Sequence, residues 1–174
     1  MEIVDLARVI RNGEHFHVNT SIVPLMRHGE AKDRFDAPCE GFAANLMVLS
    51  DHCSTHMDAP FHFIRNGDTI ESIPIERFIG PALVCDVSDV SGSQIEAEHL
   101  LAALAQLDQP IRRGGFVLLK TTSRHGQGKG IGRSAAEYLV KQGVSLVGTD
   151  HGGIDNTSNR DRPGHMVLLG NNVL

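Results

Sequence analysis

The sequence predicts an α/β domain, and three observations predict it. Apolar runs of strand length stand at 82–87, 115–121 and 144–147. Two stretches with helical spacing, 97–107 and 134–142, fall between them, and strands alternating with helices are the pattern of an α/β chain. The third observation is composition. With 41% hydrophobic and 21% charged residues, 174 residues suffice for one domain with a real core, expected to span 1–174.

In chain order, Ile3, Val4, Leu6, Val9 and Ile10 predict an opening strand that ends at the Asn12-Gly13 turn. Residues 14–41 read as irregular, with two prolines and with His15, His17 and His28; so long a stretch in a small domain is often functional. His15 and His17 alternate with Phe16 and either line a pocket or sit in solvent. Ala44 to Leu49 predicts a strand leading into a histidine-rich segment, and Asn66-Gly67-Asp68 predicts a turn after it. Ala82 to Val87 is a buried-type strand. Ser93 and Glu96, three apart, fit a capping box for the helix carrying Leu100, Leu101, Leu104 and Leu107, with Pro110 beyond its end. Gly115 to Thr121 is a further strand.

Residues 124–132 carry glycine at every second position from 126. Lys129 is followed by Gly130 where a P-loop needs Ser or Thr, and the spacing is not that of a dinucleotide fold. The run reads as a mobile loop, either a lid or a plain connection. Ser134 to Gln142 is a helix closed by Gly143, and Val144 to Val147 a strand ending at Gly148-Thr149-Asp150. A loop over 151–163 leads to a short segment carrying His165, and Asn172 to Leu174 looks like a strand.

Several classes are disfavoured. A net charge of −5 and a pI near 6.0 argue against a nucleic-acid surface. The longest apolar runs, such as 116–119 and 166–169, are far too short to span a bilayer. Met1 to Asp5 lacks the basic start and apolar region of a signal peptide, so a cytoplasmic protein is expected. Three cysteines without CxxC spacing indicate neither a disulfide framework nor a thiolate zinc site.

The chemistry concentrates between Asp51 and Phe63. His52, His56, Asp58 and His62 are spaced four, two and four apart, and imidazole plus carboxylate is a ligand set for borderline divalent metals. All four are at even positions, so an extended chain puts them on one face and Cys53, Met57, Ala59, Phe61 and Phe63 on the other. A straight strand would separate His52 from His56 by roughly 13 Å, too far for one ion. Pro60 forbids a continuous helix. A tight turn around 52–56, followed by an extended piece through His62, is therefore expected.

His-Cys-Ser-Thr-His-Met-Asp-Ala-Pro-Phe-His-Phe, residues 52–63, resembles the signature His-x-Gly-Thr-His-x-Asp-x-Pro-x-His-Phe of the cyclase-like metal hydrolases. That family includes bacterial kynurenine formamidase and isatin hydrolase. Ser54 stands where the family has glycine. The likeness extends over most of the chain: Leu146 to Asp150 is similar to a family strand ending in Gly-x-Asp, and His165 to Leu174 to its closing segment. The resemblance implies a compact swivelling β/β/α fold, with a mixed β-sheet core and flanking helices, that forms homodimers or higher homo-oligomers. It implies that His52, His56, Asp58 and His165 hold one or two Zn2+ or Mn2+ ions, and that His62 is the acid–base histidine. The residues alone leave His62 equally open as a fourth ligand. Family members with two metals carry a glutamate twelve residues after the last histidine, three positions beyond Leu174, so the chain is expected to lack its C-terminal end and to have weak activity.

The resulting expectation is a metal-dependent hydrolase of a carbon–nitrogen amide bond in a small molecule. Metal-activated water attacks the carbonyl while His62 moves the proton. The resemblance implies an aryl formamide such as N-formylkynurenine, or a cyclic amide such as isatin. With no tryptophan and only Tyr138 among tyrosines, an aromatic substrate would stack on Phe16, Phe35 or Phe61. The alternative is a non-catalytic metal-binding protein of the same fold, which turnover with metal present would distinguish. A nucleotide-binding role for the glycine run would appear as thermal stabilisation by nucleotide.

Overall fold

A computed structural model describes residues 4–16, 18–121 and 128–174. They form two compact units, one ending at Met57 and one running from Asp58 to Leu174.

In the first unit the expected opening strand is absent among the described residues, Ile3 lying outside them. The backbone polar groups there are taken by side chains instead of a ladder. The amide of Ala7 donates to Asp5 Oδ1 at 2.8 Å and that of Arg8 to Thr55 Oγ1 at 3.1 Å. Val4, Leu6 and Val9 are left exposed. The Asn12-Gly13 turn forms, with Gly13 at φ +82, and opens a small hairpin of β1 (His15–Phe16) and β2 (Val18–Asn19). His15 Nδ1 lies 3.0 Å from Asn19 Oδ1 on the exposed surface, while His17 falls outside the described residues.

The stretch read as irregular contains a true strand, β3 (Ser21–Met26), antiparallel to β4 (Ala44–Val48) with Ser21 opposite Val48. Pro24 hid it from a sequence reading. Proline cannot donate to a ladder and belongs at bulges or edges, and the register shifts between Pro24 and Met26.

The second unit carries the alternation predicted for the α/β class. β5 (Ala82–Asp86), β6 (Gln94–Ile95), α1 (Ala97–Leu104), β7 (Phe116–Lys120), β8 (Gly130–Ile131), α2 (Arg133–Gln142), β9 (Leu146–Thr149) and α3 (Pro163–Gly170) follow in order. β5, β7 and β9 form a parallel sheet in that order, and β6 pairs in parallel with β8. Cys85, Val117, Leu119 and Val147 from the sheet pack with Ile95, Ile131, Leu100, Ala135, Ala136, Leu139 and Leu168 in one core. Parallel strands joined by crossovers need apolar residues in this way, which is why their runs were legible.

Several boundaries moved, among them the end of α1, which stops at Leu104 instead of reaching residue 107. α1 starts at Ala97, because 94–95 is a strand and the capping box is Glu96 with His99, whose Nδ1 accepts from the Glu96 amide at 3.0 Å. β9 starts at Leu146 instead of Val144. Residues 171–174 are no strand, although Leu174 donates to Ser145 O at 3.1 Å and accepts from Val147 N at 2.8 Å. α2 ends as expected, with Gly143 left-handed at φ 73.

The glycine alternation has a packing cause where it is described. A Cβ at Gly128 would fall on the His151 ring, one at Gly130 on the backbone nitrogen of Asn156, and one at Gly132 on the Glu96 carboxylate. An extended segment bare on one side lets three neighbours press against it. Residues 128–132 are thus a packed element and not a lid. Lys129 Nζ donates to the carbonyls of Val87 and Ser88, which removes it as a phosphate ligand. The rest of the run, 124–127, lies outside the described residues.

Candidate metal centre

Within the first unit, a turn at 51–55 replaces the straight strand, as the ligand spacing required. It brings the rings of His52 and His56 to 4.9 Å between centroids, edge to face. Ser54 adopts φ 57, the left-handed region in which glycine is at ease and other residues are strained. Its hydroxyl donates to Arg8 O at 3.3 Å. His56 Nδ1 lies 2.9 Å from Ser54 O. A carbonyl can only accept, so Nδ1 carries the hydrogen and Nε2 is the donor nitrogen for a metal. Cys53, assigned to the packing face by parity, is buried and lies 3.5 Å from Thr20 Oγ1.

Ser54→Gly should raise the melting temperature by about 1–2 °C. Relief of roughly 1 kcal/mol or more of left-handed strain exceeds the loss of one exposed hydrogen bond, and a protein of this size shifts about 2–4 °C per kcal/mol. Ser54→Ala, which keeps the strain and loses the bond, should melt lower than wild type. If both melt lower, the hydroxyl outweighs the strain.

Within the second unit the chain does not stay extended through His62. It turns into a 3-10 helix at Pro60–His62, with proline at its first position, where a missing N–H costs nothing. That turn breaks the even–odd alternation. Phe63, expected on the face away from the ligands, instead stacks on the ring of His165 at 4.3 Å and 25°. Gly67 permits the turn to close: a Cβ there would lie 2.7 Å from the Pro60 carbonyl carbon.

Asp58, His62 and His165 each offer a ligand atom, and these atoms all lie within 4.8 Å of one another. His165 Nε2 is 3.4 Å from Asp58 Oδ2. Asp58 and His165 are partly buried and His62 is exposed, and a carboxylate with two imidazoles is a donor set that fits a divalent ion such as zinc or manganese. The grouping is compatible with His62 either as a ligand or as a proton carrier beside one.

Sequence reasoning missed Asp155. Its carboxylate is buried and accepts from Gly164 N at 2.7 Å, His165 N at 3.1 Å and His165 Nδ1 at 2.5 Å. Burial pushes its pKa up, but the hydrogen bonds from His165 and Gly164 outweigh it and the net shift is downward. For His165 burial opposes charge most strongly, yet bonds to Asp155 and Asp58 prevail and raise its pKa. The available signal was Gly164. A Cβ there would stand 2.5 Å from Ile131 Cγ2 and 2.9 Å from Asp155 Oδ1, so glycine marks a close approach.

The Cyclase family model matches residues 4–156. The chain belongs to the Cyclase family. A relative from Salinibacter ruber, a kynurenine formamidase, is 34% identical over 133 residues, covering 72% of this chain and 59% of that protein. This chain thus spans under two thirds of the length of that relative. Among solved structures of similar fold, a potential metal-dependent hydrolase with cyclase activity is 30% identical at a TM-score of 0.62, covering 74% of this chain and 62% of that one. An isatin hydrolase bound to the product analogue thioisatinate aligns at a TM-score of 0.70 and 24% identity, covering 88% and 66%, and shares the fold. No helix among the described residues is long and apolar enough to cross a membrane.

Proposed function

We propose that this Cyclase-family chain carries a divalent-metal centre that hydrolyses a carbon–nitrogen amide bond in a small molecule, with His52, His56, Asp58 and His165 as ligands and His62 as general acid–base. The observation that carries the reading is the convergence of ligand atoms from Asp58, His62 and His165 within 4.8 Å. An aryl formamide or a cyclic amide is the substrate class, supported by the kynurenine formamidase and isatin hydrolase among the similar proteins. A bound dication lowers the pKa of water toward neutrality and stabilises negative charge developing on a carbonyl oxygen. The protein's own groups do the rest. The Ser54 carbonyl and the Asp155 carboxylate each take an Nδ1 hydrogen, which turns Nε2 of His56 and His165 into donors. The imidazole of His62 accepts the proton from the attacking water and returns it to the leaving nitrogen. We infer in addition a homodimer or higher homo-oligomer, for which light scattering is the check.

Purified protein loaded with zinc or manganese should hydrolyse N-formylkynurenine or isatin. His62→Ala should lose about 10²–10⁴-fold in turnover with its metal content unchanged. Metal lost together with turnover would make His62 a ligand instead. Metal held without turnover on any amide, formamide or lactone substrate would leave the chain a metal-binding protein.

A further inference from the structure

We propose that Asp155 is a positioning residue of the metal centre, fixing the ring of His165 so that Nε2 faces Asp58. Resting on the reading of His165 as a ligand, the proposal adds a residue that is no ligand itself. Three observations carry it. Asp155 Oδ2 lies 2.5 Å from His165 Nδ1, while the opposite ring nitrogen is 3.4 Å from Asp58 Oδ2, so the imidazole is held between two carboxylates by its two nitrogens. The Phe63 ring stacks on the same imidazole at 4.3 Å and fixes its plane. The Asp155 side chain has no solvent exposure and is itself pinned, with both oxygens on the first-turn amides of Gly164 and His165 in α3.

The chemistry follows from the acceptor. A carboxylate takes the Nδ1 hydrogen, so the neutral ring must keep its lone pair on Nε2, and a negative partner makes that lone pair a better donor. Carboxylate–histidine–metal arrangements work in this way, and loss of the outer partner typically weakens metal binding by about 10–100-fold. The same carboxylate accepts from the start of α3, where an anion is favoured by the helix dipole, so its charge serves the helix and the ligand together.

Asp155→Asn separates the two duties. The amide oxygen can still accept from Gly164 N, but one carboxylate oxygen is replaced by a group that cannot accept from His165 Nδ1. Zinc affinity, measured by chelator competition on the full chain, should fall about 10–100-fold. The 15N shifts of His165 in the metal-free protein at high pH should report Nδ1–H in wild type and a mixture of tautomers in the variant. An Nε2–H tautomer in wild type would overturn the proposal even if the variant fails to fold. So would a variant that melts lower but binds zinc as tightly as wild type, since Asp155 would then be a helix cap alone. If wild type binds no zinc at all, it is the metal reading that fails, and the tautomer measurement still decides whether Asp155 orients the ring.

Discussion

Asp58→Asn should give a folded protein that retains no stoichiometric metal after dialysis and has no measurable amide hydrolysis. Asp58 supplies the only anionic donor in the group it forms with His62 and His165. Asparagine keeps the shape and one acceptor oxygen but removes the charge that a dication needs to offset its lost hydration. Loss of an outer partner alone costs about 10–100-fold in affinity, so removal of a carboxylate that touches the ion should cost more than ~100-fold. Metal content per chain, read by elemental analysis, is the direct measure. A second readout is thermal: zinc at a hundred times its dissociation constant stabilises wild type by about 2.7 kcal/mol, and that increment should vanish in the variant. Unchanged metal content in Asp58→Asn would remove this aspartate from the ligand set.

The parts legible in the sequence share a physical property, which is that short-range chemistry determined them. The strands of the parallel sheet were visible because each is a mainly apolar run whose inward residues, Cys85, Val117, Leu119 and Val147, lie in one core, and α2 because its apolar spacing ends in a left-handed glycine. The 52–62 cluster was visible because histidine and aspartate rarely crowd together without a use. What stayed hidden depended on distant partners. Asp155 is one acid in an irregular loop, and only folding brings it against a histidine ten residues away in α3. Phe63 was assigned to the wrong face because one 3-10 turn at Pro60 resets the alternation. The opening strand failed because Asp5 and Thr55 side chains supplied what a neighbouring strand would have. Ser93 lost its cap to Glu96 because the two residues between them pair with Gly130 and Ile131.

The same dependence on distant partners makes Gly130→Ala the most damaging single methyl group in the described chain. Gly130 donates to Ser93 O at 3.0 Å, and its neighbour Ile131 donates to Ile154 O at 2.8 Å, so β8 is held on both sides. A Cβ would fall on Asn156 N and stand 2.7 Å from the Asp155 carbonyl carbon. Those are backbone atoms, which no rotamer change can clear. Overpacking of a well-filled interior costs typically 1–3 kcal/mol, and a backbone clash belongs at or above the top of that range, so about 3 kcal/mol or a fall of about 6–12 °C in melting temperature is expected. The displaced residue is also the one that holds His165. Zinc affinity should therefore fall in Gly130→Ala although position 130 is no ligand. Gly152→Ala is the control, since a Cβ there meets nothing within 4 Å, and it should melt and bind zinc as wild type does. A Gly130→Ala protein that melts with the wild type would mean that β8 does not press on the 155–156 backbone. A variant that melts lower with undiminished zinc affinity would separate the packing of β8 from the orientation of His165.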